Sequence, residues 1–105
     1  MEWERKRTWA EISLSNLEHN YRALRALLPR SCRFLGVVKA NAYGHGALTV
    51  GRKLEQLGCE MLAVACLDEG IALREAGIRA PILIMGHTPP QYAPELDRFS
   101  LIQTV

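Results

Sequence analysis

Cysteines, basic clusters and long apolar runs are all sparse in this sequence, and each scarcity closes off a class of function. The three cysteines, Cys32, Cys59 and Cys66, are odd in number and form no Cys-x-x-Cys pair. That pattern excludes a disulfide framework, argues against a structural metal site, and fits reduced thiols in a cytoplasmic protein. Arg5 to Arg7 is the one dense basic cluster in a chain of 13 basic and 11 acidic residues, net charge +2, so no nucleic-acid footprint is visible. No apolar run approaches the ~20 residues of a membrane-spanning helix, and Met1 to Arg7 has no apolar h-region; no membrane association is evident, and the expectation is a soluble, unsecreted protein. No Gly-x-Gly-x-x-Gly turn follows the first strand-like segment, which leaves dinucleotide binding without support. What remains is a chain of 105 residues, 49% hydrophobic and 23% charged, with room for one globular domain.

Strand-like and helix-like segments alternate along it. Thr8 to Leu14 alternates in part and reads as a strand. Ser15 stands three residues before Glu18, a capping-box spacing, and Leu17, Tyr21, Leu24 and Leu28 follow at helical intervals up to Pro29, which predicts a helix from Asn16 to about Leu28. Phe34 to Lys39 is a second strand. Ala47, Val50, Leu54 and Leu57 make an apolar stripe ending at Gly58. Met61 to Ala65 is a continuous apolar strand, and Asp68 is placed to cap a helix that carries Ile71 to Leu73 and stops at Gly77. Pro81 to Met85, a turn at Gly86 to Pro90, a short helix around Pro94 to Phe99 and a strand from Leu101 to Val105 complete the pattern.

Apolar strands separated by helices at about twenty-residue spacing indicate an α/β fold with a parallel sheet. Two architectures fit: a small doubly wound sheet, or the N-terminal half of a (β/α)8 barrel, which normally takes ~250 residues. The chain stops inside an apolar strand with no helix after it, and it lacks the glycine turn of dinucleotide folds; both favour the half-barrel. The expectation is therefore one incomplete domain over residues 1–105, preceded by one extra strand.

The chemistry concentrates in Gly36 to Gly46, Gly-Val-Val-Lys-Ala-Asn-Ala-Tyr-Gly-His-Gly. An apolar strand delivers Lys39 at its end, followed by small or permissive residues: Gly44 and Gly46 accept backbone angles closed to other residues. A lysine at a strand mouth suits a covalent amine site, because burial or a neighbouring cation lowers its pKa toward the reactive neutral form. The competing reading of the spacing alone is a strand leaving the core for solvent. Tyr43 taken alone is equally a pocket-rim residue, Met85 equally a core residue, and Asn41 an orienter of the turn. His45 and His87 lack metal-ligand spacing and suit capping or turn roles, while Glu69 and Arg74 read as a solvated helix face.

Val38 to Gly46 resembles the cofactor-lysine motif of the alanine racemases, a family using pyridoxal 5'-phosphate (PLP). Trp9 to Ile12 is similar to that family's first strand, with Ser13 where Asp or Asn is more usual. Leu62 to Ala65 with Leu67 to Ile78, and Pro81 to Gly86, are similar to its second and third units. The resemblance implies an eight-stranded α/β barrel followed by a mostly β domain, a homodimer whose subunits complete each other's sites, and interconversion of L- and D-alanine for peptidoglycan precursors. It implies further that Lys39 holds PLP covalently and serves as one of two bases, that Tyr43 donates its phenol to the cofactor phosphate, and that Met85 packs against the ring. The second base, a tyrosine of the partner subunit, and most phosphate contacts are absent from this chain, so the fragment alone is expected to be inactive. A serine-preferring racemase of the same family is the nearest alternative. A non-catalytic PLP-binding barrel protein is another, although its lysine typically lacks the Asn-Ala-Tyr-Gly-His-Gly continuation.

Overall fold

A computed structural model describes residues 11–105 of the chain. Helix α1 runs Leu14–Ala26. Its N-cap is Ser13, whose extended backbone lets Oγ accept from the Asn16 N–H at 3.2 Å. The expected cap at Ser15 is thus displaced by two residues: Ser15 already lies inside the helix. The N–H groups of Leu27 and Leu28 turn to carbonyls three residues back, tightening the end of the helix ahead of Pro29. Of the extra strand expected over Thr8 to Leu14, Thr8 to Ala10 lie outside the described residues. Glu11 to Ser13 are not strand, and Leu14 opens α1.

Four short strands follow, β1 (Leu35–Val37), β2 (Met61–Val64), β3 (Ile82–Ile84) and β4 (Leu101–Gln103). Between them lie a five-residue turn α2 (Lys39–Tyr43), helices α3 (Ala47–Gln56) and α4 (Leu67–Glu75), a 3-10 turn (Pro90–Tyr92) and α5 (Ala93–Arg98). Each strand is shorter than its apolar run suggested, although hydrogen bonds from Val38, Met85 and Thr104 to the neighbouring strand continue just past the strand ends. Asp68 is not the cap of α4. Cys66 holds the N-cap position, and Asp68 and Glu69 fall in the first turn, where carboxylates suit the helix dipole.

All four strands are parallel and lie in chain order, β1-β2-β3-β4. A doubly wound sheet reverses its strand order at a switch point; this sheet does not, as expected of a barrel segment. Helices α3 and α4 pack on one face. A Cβ on Gly36 would meet Leu54 Cδ1 at 2.8 Å, and one on Gly70 would meet both Leu101 methyls at 3.2 Å, so these glycines set how closely helix and sheet approach. Leu62, Val64, Ile82 and Ile84 on that face are fully buried. On the opposite face Leu35, Val37 and Ile102 are 36–42% exposed while Ala63, in register with Val37, is buried, so that face is partly open among the described residues.

Two charged side chains tie the strand starts together. Arg74 donates to the carbonyls of Ile78, Ala80, Phe99 and Ser100, all just before β3 or β4. Glu55 accepts from the Arg79 and Ala80 N–H groups. Arg74 is therefore no solvated surface residue. Burial pulls its guanidinium below the usual arginine range, and four backbone acceptors engage four of its five donors.

Candidate active site

Parallel strands bring all their C-terminal ends to one edge, where barrel enzymes place their chemistry. Here that edge carries Lys39 after β1, Ala65 after β2 and Met85 after β3. Lys39 is not the last residue of its strand, as the sequence suggested, but the first of α2. Its side chain is half-buried and has no hydrogen bond or ion pair among the described residues.

The backbone after Lys39 is unusual. Ala40, Asn41, Ala42 and Tyr43 take φ of 51–57°, a run of four left-handed non-glycine residues. Each such residue costs about 1–2 kcal/mol, so the turn persists only because its surroundings hold it. The Ala42 N–H donates to the Val38 carbonyl at 2.9 Å and the Gly46 N–H to that of Asn41 at 2.8 Å. Asn41 Oδ1 accepts from the Ala47 N–H, satisfying one orphan donor at the start of α3. His45 Nδ1 lies 2.9 Å from the Ala42 carbonyl, consistent with the turn role expected for it. The Ala42 methyl is buried. Gly44 and Gly46, at φ +90° and +92°, close the turn in angles that favour glycine.

Glu69 supplies the long-range restraint. From the first turn of α4 its Oε2 accepts from the Ala40 N–H at 2.8 Å, and its Oε1 accepts from the Ala65 N–H at 2.7 Å. One carboxylate thus joins the backbone past β1 to the backbone past β2. The solvated role expected for Glu69 is corrected. Its sequence signal, an acid in a helix's first turn just after an apolar strand, identifies a residue near the strand ends but names no partner.

The other candidates are more open. Tyr43 is 63% and Met85 44% exposed. The Met85 N–H donates to the Val64 carbonyl at 2.8 Å, which fixes its backbone against β2. Two clefts flank the turn. One of about 410 Å³ is lined partly by Asn20, Val37, Ala42 and His45, and one of about 300 Å³ by Asn41, Leu48, Val64 and Glu69; neither is lined by Lys39, Tyr43 or Met85. His87 is exposed, beside Cys66, Asp68 and Tyr92. Among the described residues no three His, Cys, Asp or Glu side chains gather as a metal site, and no helix is long and apolar enough to cross a membrane.

Parallel strands in chain order, helices over one face and an unengaged lysine at the C-terminal edge define the opening section of a βα-barrel with a candidate amine site. Residues 12–105 match the family described as "Alanine racemase, N-terminal domain", and the chain belongs to that family. It is 50% identical over 97 residues to an alanine racemase of Carboxydothermus hydrogenoformans, covering 92% of this chain and 26% of that protein. An amino-acid racemase of Enterococcus faecalis is 48% identical over 99 residues, covering 94% of this chain and 14% of that protein. Among solved structures, an alanine racemase of Clostridium difficile 630 superposes with a TM-score of 0.90 at 44% identity, covering 93% of this chain and 26% of that one. The chain spans about a quarter or less of the length of these relatives.

Proposed function

We propose that this chain is the lysine-bearing section of the PLP-binding barrel of a racemase that interconverts L- and D-alanine, and that Lys39 both holds the cofactor and serves as one base. The observation that carries the reading is the placement of Lys39, a primary amine without a hydrogen bond or ion pair among the described residues, at the C-terminal edge of β1 on a turn hydrogen-bonded to Val38, to α3 and to Glu69 of α4. The donor set suits a phosphate-bearing aromatic aldehyde: an amine at Lys39, an exposed phenol at Tyr43 and the thioether of Met85 at the same sheet edge. Bound there, PLP supplies an electron sink for the electrons left when the substrate's α-proton departs.

The protein's own residues do the rest. As a free amine Lys39 Nζ would take the α-proton on one face of the substrate, and as the ammonium so formed it would return it. With the cofactor bound, the Tyr43 O–H would donate to its phosphate and Met85 would offer an apolar surface to its ring. Racemisation needs a second base on the opposite face, and this role falls to a tyrosine of a partner subunit in a homodimer. The 105 residues alone are accordingly inactive. The parent enzyme acts in the cytoplasm and supplies D-alanine for peptidoglycan precursors.

The test is borohydride reduction of the protein incubated with PLP, followed by peptide mapping, in the natural sequence and in Lys39→Ala. The expected result is one stable adduct on Lys39, lost in the variant. Scattered labelling that Lys39→Ala leaves unchanged would sink the assignment. A second substrate reading is a serine-preferring racemase of the same family; the likeness to the Enterococcus faecalis protein, named only as an amino-acid racemase, leaves room for a substrate other than alanine. Comparing L-alanine and L-serine turnover by the full-length protein decides between them.

A further inference from the structure

We infer that Glu69 is the positioning residue for Lys39. The inference deepens the reading of Lys39 as the cofactor lysine and rests on it. Lys39 is followed at once by Ala40, the first left-handed residue of the turn, at φ 51°. The N–H of Ala40 is held by Glu69 Oε2 at 2.8 Å, while the other oxygen of the same carboxylate holds the Ala65 N–H at 2.7 Å. Both are charge-assisted bonds from backbone donors just past the ends of neighbouring strands. The peptide between Lys39 and Ala40 is thereby fixed relative to β2, and with it the direction in which the Lys39 Cα–Cβ bond leaves the chain.

Local hydrogen bonds do not replace this restraint. The bonds of Ala42, Gly44, His45 and Gly46 all run between residues of the turn and its immediate flanks, and Asn41 ties the turn forward to α3. Each is compatible with the turn pivoting as a unit about Val38. The Val38 N–H, on the other side of the lysine, donates to the Ala63 carbonyl of β2 at 2.9 Å and fixes the pivot. Among the described residues Glu69 is what reaches the residue after the lysine from a different βα unit, and it is anchored in α4, whose Gly70 and Leu73 are buried. Among the described residues the side chain makes no hydrogen bond or ion pair with the Lys39 amine; it acts by holding backbone.

Three variants of the full-length polypeptide test this. Glu69→Gln keeps the size but places an N–H₂ where one of the two backbone donors needs an acceptor. Glu69→Asp keeps the charge on a shorter arm. Arg74→Met, on the same helix, removes a tie at the opposite ends of the strands and serves as the structural control. Two readouts are used: hydrogen exchange at the Ala40 amide, and the rate of Lys39 acetylation relative to the other lysines under trace acetic anhydride. Neither needs cofactor or turnover.

In Glu69→Gln, Ala40 exchange is expected to accelerate by about tenfold or more, the scale of one charge-assisted hydrogen bond. The relative acetylation of Lys39 shifts severalfold while the other lysines hold, and Glu69→Asp recovers part of both effects. Arg74→Met lowers the melting temperature without a selective change at Ala40 or Lys39. Unchanged Ala40 exchange and Lys39 reactivity in Glu69→Gln would overturn the inference, as would equal changes in Arg74→Met. Borohydride mapping with PLP on the natural sequence stands apart: its failure removes the cofactor assignment, while the exchange and acetylation results still decide the role of Glu69.

Discussion

The Gly86 N–H donates to the Ala65 carbonyl at 3.0 Å, and a Cβ built on Gly86 would lie 2.5 Å from that same oxygen. Gly86 is thus required by close approach of two strand ends rather than by its own backbone angle. Gly86→Ala is expected to destabilise the protein by about 1–3 kcal/mol, because the obstacle is backbone and cannot swing aside. Chemical denaturation measures it; a midpoint equal to that of the natural sequence would show that β2 and β3 part without cost.

Ala40 is exposed and left-handed, so its methyl is strained and buries little. Ala40→Gly is expected to be neutral or stabilising by up to about 1 kcal/mol, against the usual cost of glycine, because relief of the left-handed strain offsets the added freedom of the unfolded chain. Ala40→Val should destabilise by more than 1 kcal/mol, since a β-branched residue tolerates positive φ poorly. The Ala40→Gly midpoint should therefore lie at or above the natural one and the Ala40→Val midpoint below it, and a reversed order would contradict the turn's handedness.

Glu60 pairs with Arg25 and also accepts from the Phe34 N–H at 2.8 Å. The Arg25 guanidinium, and then that N–H, hold its carboxyl down to about 2, from an ordinary 4.5. A carboxyl that is more acidic folded than unfolded stabilises above the unfolded value and loses that contribution as the pH falls toward the folded one. Stability from this pair should be fully present above about pH 4.5 and drain away between there and about pH 2. Glu60→Gln removes the ionisation, so its deficit relative to the natural sequence should be largest near neutrality and shrink on acidification. A deficit independent of pH would assign the effect to packing.

Much of this architecture was legible from local pattern. Gly58 and Gly77, read as helix stops, have φ of +89° and +96° just beyond α3 and α4. The apolar runs at Met61 and Pro81 became β2 and β3, and Lys39 fell two residues past the strand end at which it was expected. Ser15 shows where pattern misleads. It had the right partner spacing to Glu18, but Ser13 has the extended backbone of a cap and a hydroxyl in reach of Asn16, and that geometry prevails. Glu69 and Arg74 were misread for a different reason: their partners are backbone groups up to 29 residues away, and spacing carries no information about them.

The sequence by itself determined the alternation of apolar strands with helices, the lysine at a strand mouth, and the motif that ties the chain to its family, because these depend on neighbours within a few residues. Tertiary structure alone decided that the strands run in chain order, that one sheet face is partly open, and that four residues after Lys39 wind left-handed. A left-handed run of alanine, asparagine and tyrosine is locally unfavourable. It exists here because hydrogen bonds within the turn are joined by a carboxylate from the next βα unit, and only the folded chain brings Glu69 to Ala40.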